Sequence, residues 1–557
     1  MEKETKGIKY ATSFREQLTV RGMIIGSIGS MVLTCSSMYV ALKLGALPFP
    51  IIFVALASMF FLKIMGKSNI NEINVTHSAM SAGAMTAGGL AFTIPGIYML
   101  DPGADVSFLD LLLVVLGGVL LGLIFTALIR KYFVETKDLS FPMGQAAAET
   151  LIVGDEGGKK AITLFSSLGI AAVWTFFRDK LLIIPSLLPG SATTSKLAAT
   201  YGVIPAIWAS PMLISVGYIV GPVFIGVWFL GAILGNFGIV VGGVNWGWWD
   251  LAAANGIKSS LGIGLMVGTG VGIIVKGILP KAKEIFGPMF SKNSFGNDGS
   301  IVNLRWAPIL MVLLVVLYTF VTGMPFFASV IAILGVWLAT AMSAQTVGQS
   351  GINPMEVFGI IVLLAAKAVS DIGQTEAFFV AAIVAIACGL VGDVMNDFKA
   401  GYILRTNPKA QWFGVCIGGI VGAFTAVAIF YVILVAYGPE AFGAQDGFIA
   451  PQAGMVAAMV GGIPNLTWFL IGLVAAIILY VINFPVMTLG LGVYLPFYLS
   501  ATAFVGGLVR FIVMKAFPKY EERGTGSIIA SGLLGGEAVV GVIIALTQAI
   551  PALLSLK

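Results

Sequence analysis

Glu72, Glu149, Glu356, Asp393, Glu537 and His77 fall inside or at the edges of long apolar runs, where a carboxylate or imidazole is costly and has to be used. A charge at the centre of a membrane span costs roughly 2.5–3.5 kcal/mol on insertion scales, so several in one chain imply a polar interior. A carboxylate that can lose its charge in such a site can carry a proton. Glu537 lies about ten residues into its run, behind Gly535 and Gly536, and is the first candidate for that role; the alternative is a structural carboxylate held by a helix end. Glu149 follows Gln145 by four residues, so both face one way in a short helix after Pro142, or form a surface pair beside Asp155 and Glu156. His77, the single histidine, lies a turn and a half from Glu72 and titrates in the physiological range when unperturbed. Its plain alternative is an interfacial residue. Asp393, Asn396 and Asp397 with Lys399 lie at the end of an apolar run, which suits a gate or an ion pair.

The elements that must position these groups are membrane helices. Hydrophobic residues are 58% of the 557 and charged residues 10%, with a mean hydropathy of +1.00, whereas soluble domains run near 25% charged. No polar block is long enough to fold alone. The net charge of +5 is scattered through short loops without a basic stripe, which excludes nucleic-acid binding and fits membrane orientation. Cys35, Cys388 and Cys416 lie in apolar stretches without metal-binding spacing. With one histidine, a resident metal, haem or other cofactor is not expected. The first twenty residues are charged and lack a cleavable apolar region, so the first span is expected to be retained.

Sixteen windows read as spans, eight on each side of a basic segment. They are 21–42, 48–65, 75–100, 109–129, 161–177, 204–220, 223–241 and 261–278, then 306–321, 325–342, 354–369, 377–394, 415–437, 468–482, 487–513 and 527–546. The short pieces 141–153 and 451–463 read as re-entrant hairpins. The fold class is therefore an all-α polytopic membrane protein of about 16 helices. Its expected domains are a cytoplasmic N-terminal segment (1–20), a first membrane repeat (21–279), a cytoplasmic connecting loop (280–304) and a second repeat (305–557). Lys3, Lys6, Lys9 and Arg15 with Lys281, Lys283 and Lys292 place the N-terminus and the connecting loop in the cytoplasm, although 515–523 then carries its basic residues outside. Three local matches suggest the duplication: Pro48 with Pro325, Pro222 with Pro496 and Gly264 with Gly532, offset by 277, 274 and 268 residues.

Ordered motifs carry a more specific signal. They are Asn71-Glu72-Ile73-Asn74 with Ser81-Ala82-Gly83; Phe141-Pro142-Met143-Gly144-Gln145 with Ala148-Glu149 and 154–158; and Gly351-Ile352-Asn353-Pro354-Met355-Glu356. Further on come 392–402 (GDVMNDFKAGY), Gly492-Val493-Tyr494-Leu495-Pro496-Phe497 and 531–537 (SGLLGGE). In this order they resemble the oligopeptide transporter family, which includes the yellow-stripe-like metal-chelate transporters, in its shorter bacterial branch. The resemblance implies about 16 spans and secondary, proton-coupled import of small peptides, modified peptides or peptide-like metal chelates across a prokaryotic inner membrane. Such cargo carries amine, carboxylate and amide groups, for which Gln145, Gln349, Asn353, Tyr494 and Glu537 supply partner types. The proton-coupling candidates are Glu537, Glu149, Glu72, Glu356 and His77, and the gate candidates Asp393, Asp397 and Lys399. The expected partners are lipid, cargo and protons, with a homodimer left open beside a monomer. A facilitator or channel for small polar solutes is the alternative. An ion-pumping membrane enzyme is remote, because it would need dense Asp clusters for magnesium and phosphate, and no enzymatic activity is expected.

Overall fold

A computed structural model describes residues 10–44, 51–137, 139, 141–152, 157–283, 301–350, 353–444 and 447–555. Helix dominates because hydrocarbon offers no water to a free N–H or C=O, so each segment pairs its own backbone. The principal helices of the first half are α1 (Val20–Leu44), α2 (Ile51–Ile64), α3 (Ile70–Ala91), α4 (Phe108–Arg130), α5 (Pro142–Ile152), α6 (Gly157–Thr175), α7 (Pro211–Val220), α8 (Pro222–Ala232) and α9 (Leu251–Ile273). Those of the second half are α10 (Ala307–Phe320), α11 (Phe326–Ser350), α12 (Met355–Val369), α13 (Gln374–Ile403), α14 (Pro408–Tyr437), α15 (Pro451–Gly461), α16 (Leu466–Val481), α17 (Val486–Tyr494), α18 (Phe497–Ala516) and α19 (Thr525–Ser555). Two-residue strands, β1 (Leu187–Leu188) and β2 (Ile207–Trp208), pair antiparallel.

Among the described residues nine helices are long and apolar enough to cross a membrane, and five apolar helices are shorter. The protein is an all-α polytopic membrane protein. The expected windows land on helices, but their ends move for identifiable reasons. The window 487–513 is two helices, α17 and α18, broken at Leu495-Pro496, because proline has no N–H to continue the ladder. The window 261–278 starts earlier, at Leu251, where the Asp250 side chain accepts the Ala253 N–H at 2.7 Å and caps α9. That shift brings Lys258 inside a span. The window 377–394 grows to Gln374–Ile403, so Asp393, Asp397 and Lys399 stand within α13 rather than at its end, a correction to the sequence reading. The two short pieces are the 11-residue helices α5 and α15.

The chain packs as two compact units, one of 1–161 with 281–442 and the other of 162–280 with 443–557. Each takes one stretch from each half of the sequence, so the packing units cut across the expected repeats. In the first unit α13 is buried along its apolar window, with α3, α4, α5, α11 and α12 packed against it. Within this unit α3 packs on α14 as α13 packs on α4, and α1 on α3 as α11 on α13. In the second, α9 packs on α17 as α19 packs on α7, and α8 on α17 as α18 on α7. The same packing relations thus recur with α1–α9 and α11–α19 in corresponding places.

The correspondence also changes the register. Helices α3 and α13 begin at 70 and 374, 304 residues apart, while α7 and α17 begin at 211 and 486, 275 apart. The difference is the stretch 176–210, which carries β1 and β2 and has no counterpart between α16 and α17. Only the match of Pro222 with Pro496 joins similar positions, at the head of α8 and just before α18. Pro325 precedes α11, the counterpart of α1, whereas Pro48 precedes α2 and lies outside the described residues.

Close helix contact in lipid depends on small residues, because no hydrophobic effect drives apolar helices together there. At the α3–α14 crossing Gly422 meets Gly83, and a Cβ on Gly418 would overlap the Ala79 carbonyl oxygen. Ser30 of α1 ties the same place by donating to the Gly418 carbonyl at 2.8 Å. Gly418→Ala is therefore expected to cost about 1–3 kcal/mol by overpacking, read as a lower thermal midpoint in detergent. Glycine at position 169, which has open space around it, serves as the control: Gly169→Ala should leave the midpoint unchanged or raised.

Candidate functional site

In the first unit, α3 and α13 bring together groups far apart in sequence. Both carry buried polar side chains on facing surfaces: Asn74, Ser78, His77 and Ser81 on α3, and Asp393, Asn396 and Asp397 on α13. His77 Nδ1 lies 3.5 Å from Asp397 Oδ1, and neither side chain is exposed at all. Ser81 donates to Asp397 Oδ2 at 2.7 Å. Gln411 of α14 closes the group by donating to Ser78 Oγ at 2.8 Å and to the Asp397 carbonyl at 2.6 Å. Asp393 stands one turn before Asp397 on the same face of α13.

The site is conspicuous for what it leaves unmade. Among the described residues, both His77 ring nitrogens, both Asp393 oxygens, Asp397 Oδ1 and Asn74 Oδ1 are buried without a hydrogen-bond partner. Buried polar atoms are normally paired, and each exception calls for an explanation. Two acids and an imidazole buried side by side on facing helices are groups among which a proton can pass.

The other candidates are held differently. Glu72, in the first turn of α3, accepts from Arg21 Nε and Nη2, each at 2.7 Å, and from Thr19 Oγ1 at 2.7 Å. Its neighbours Asn71 and Asn74 both donate to Thr406 Oγ1, and Asn71 also donates to the Leu404 carbonyl. The motif around Glu72 thus fastens the start of α3 to α1 and to the turn between α13 and α14. Glu356 is buried in the first turn of α12, where the helix dipole favours an acid. Asn353 accepts from Ser343 Oγ at 2.9 Å and donates to the Cys388 carbonyl at 2.9 Å, so its amide braces α11 against α13. Lys399 sits within α13, its ammonium over the Tyr402 ring. Gln145 is exposed on α5, while the N-terminus of that helix rests on α13 through the Gly144 N–H, which donates to Asn396 Oδ1 at 3.2 Å. The side chains of Glu149 and Gln349 lie outside the described residues.

Glu537 belongs to the second unit and is fully engaged. It accepts from Arg178 Nη2 at 2.8 Å, from Ser210 Oγ at 2.9 and 3.0 Å and from the Met212 N–H at 2.8 Å. Ser210 is the N-cap of α7, so this carboxylate sits on the positive end of that helix as well as beside a guanidinium. Arg178 is held in turn by Asp179, by the Ala209 carbonyl and by the Trp208 ring. This geometry matches the structural alternative for Glu537. Tyr494, at the end of α17, is partly exposed, and its Cβ fills the space that a side chain on Gly262 of α9 would need. Gln145 and Asn353 belong to one unit and Tyr494 and Glu537 to the other.

Sequence reasoning passed over Arg178, Ser78, Gln411, Asn236 and Lys258. The signal for Ser78 was available, since it lies beside His77 on one helix face. Lys258 escaped because it lies just outside a window that the folded helix extends, and Arg178 because it stands one residue past the window 161–177. Removing one partner from a buried ion pair leaves an uncompensated charge. Arg178→Met is therefore expected to destabilise the protein by about 3–5 kcal/mol. Adding Glu537→Gln in the same chain should recover part of that loss, a comparison that thermal unfolding of the purified variants in detergent decides.

The sequence matches the family described as OPT oligopeptide transporter protein over residues 17–284 and 300–548. It is 26% identical over 593 residues to a Haemophilus influenzae protein called "Putative oligopeptide transporter", covering 91% of this chain and 92% of that one. It is 27% identical over 172 residues to the rice (Oryza sativa subsp. japonica) "Probable metal-nicotianamine transporter YSL11", covering 27% of this chain and 24% of that protein. A second rice protein, "Probable metal-nicotianamine transporter YSL8", is 24% identical over 200 residues, covering 30% of this chain and 28% of the relative. The chain belongs to the oligopeptide transporter family and is a membrane transport protein, not an enzyme.

Proposed function

We propose that this protein is a secondary active transporter that couples inward proton flow to the import of small peptides, modified peptides or peptide-like metal chelates by alternating access. Its place in this reading is a prokaryotic inner membrane, with the N-terminus in the cytoplasm. The observation that carries the proposal is the buried group of His77, Asp393 and Asp397 on α3 and α13. An intramembrane ionisable residue is a functional-site candidate by default, and proton relays in pumps and transporters are built from such Asp, Glu and His chains. Here the two acids and the imidazole have no arginine or lysine ion pair among the described residues to fix their charge. Glu72 and Glu537, by contrast, each have a guanidinium partner. The coupling role is therefore assigned to His77, Asp393 and Asp397 ahead of those two glutamates, which hold helix ends together.

The cargo class rests on the relatives, of which one is named for oligopeptide transport and others for metal-nicotianamine transport. In proteoliposomes with an internal pH dye, pooled short peptides and ferric chelates are expected to acidify the lumen when the wild-type protein imports them. Asp397→Asn, which removes the ionisable group at nearly constant shape, should abolish gradient-driven accumulation while retaining exchange of labelled cargo for unlabelled cargo. His77→Gln should reduce accumulation in the same direction. Accumulation by Asp397→Asn at the wild-type level would sink the assignment, and wild-type uptake without acidification would favour the facilitator reading.

A further inference from the structure

We infer that Lys258, with Asn236 at the break between α17 and α18, binds a carboxylate group of the transported solute. The inference rests on the transport reading and adds a ligand chemistry and a place to it. Lys258 stands on α9, eight residues beyond the Asp250 cap, which is about 12 Å along the axis at 1.5 Å per residue. The exposed Trp246 and Trp248 before that cap mark the level where indole rings settle at a membrane surface. The ammonium turns inward, donating to Asn236 Oδ1 at 2.8 Å. Asn236 in turn donates to the carbonyls of Ala232 and of Leu495, the residue at the helix break. One turn along α9 from Lys258, Gly262 makes room for Tyr494. Lysine, amide and broken backbone therefore meet in one place.

The equivalent break in the other half shows what a closed version looks like. Between α7 and α8, at Gly221-Pro222, Arg510 donates to the carbonyls of Tyr218 and Ile219. That cation has its own acid: Arg510 Nε bonds Glu521 at 2.8 Å, and Tyr218 donates its hydroxyl to the same glutamate at 2.6 Å. The charge at the α7–α8 break is neutralised within the protein. At the α17–α18 break it is not: among the described residues Lys258 forms no ion pair, and it remains partly exposed. An ammonium has three donors, of which Asn236 takes one. Two remain for an incoming anion, and short or interrupted helices in matching positions of two halves are where transporters of this construction place cargo. A carboxylate suits the site because it neutralises the charge and accepts from the ammonium hydrogens that Asn236 does not take.

The test uses the full-length protein in detergent, in methanesulfonate buffer free of chloride. Thermal stability is titrated with acetate, glutarate and trialanine, against acetamide and trialanine amide, with chloride as a separate arm. Wild type is expected to show saturable stabilisation by the carboxylates and none by the amides. Lys258→Met should lose that response, Lys258→Arg should keep it, and Asn236→Ala should weaken it by about tenfold. Equal responses to acids and amides, stabilisation by chloride alone, or a wild-type response from Lys258→Met would overturn the inference. Should Lys258→Met not fold, Lys258→Arg and Asn236→Ala decide: a weakened response only in the latter supports the site, and wild-type behaviour of both rejects it. The proton-flux assay of Asp397→Asn does not involve Lys258, so loss of the transport reading and loss of this site are separately visible.

Discussion

Charge without water is the constraint from which the rest of this structure follows. A charged side chain that leaves the aqueous phase needs a partner in the protein, and losing one partner of a buried pair costs more than the pair itself contributes. Glu72 is held by Arg21 and Glu537 by Arg178, and each pair joins an otherwise free helix start to a neighbouring helix. Arg510 with Glu521 does the same for a helix end. Most intramembrane charge is thus spent on fastening. Against that background, His77, Asp393 and Asp397 stand apart because they are as deeply buried and yet have no arginine or lysine ion pair among the described residues.

Close packing provides the second level of organisation. Polar atoms on α3 and α13 can meet only if the helices approach closely, and glycines at the crossings permit that approach. Gly83 and Gly422 touch between α3 and α14, and Gly144 lets the start of α5 rest against Asn396. The same feature makes the arrangement intolerant of even a methyl group, so small residues here are as much a part of the site as the acids. Helix breaks provide the third level. Pro222 and Pro496 interrupt what would otherwise be continuous spans, and the carbonyls released there are taken by Arg510 and by Asn236.

The internal correspondence between the halves explains why the packing units cut across the sequence repeats. Each unit pairs a stretch from one half with its counterpart from the other, so neither half forms a body by itself. The two helix breaks differ in charge: one has an arginine with its own glutamate, and the other a lysine that forms no ion pair among the described residues.

The amino-acid sequence by itself determined the solvent and the element type. A chain with 58% hydrophobic and 10% charged residues has to lie in a bilayer, and a bilayer permits a single-chain, Gly-rich apolar run to be little other than helix. Span positions were legible for local reasons of length and periodicity, and 141–153 and 451–463 stood out as pieces shorter than a span. The roles of the acids were not. Arg178 and Glu537 are 359 positions apart, and Ser81 and Asp397 are 316 apart. Nothing in a local pattern says which buried carboxylate has a cation beside it and which has a histidine. Glu537 read as the most isolated acid because it lies deepest in its run, yet the fold gives it a guanidinium partner from before α7, while Asp393 has no arginine or lysine ion pair among the described residues. Lys258 fell outside the window 261–278 because the helix, capped by Asp250, starts before the apolar stretch. Partnership across the membrane interior is a property of helix packing, and only the tertiary structure decides it.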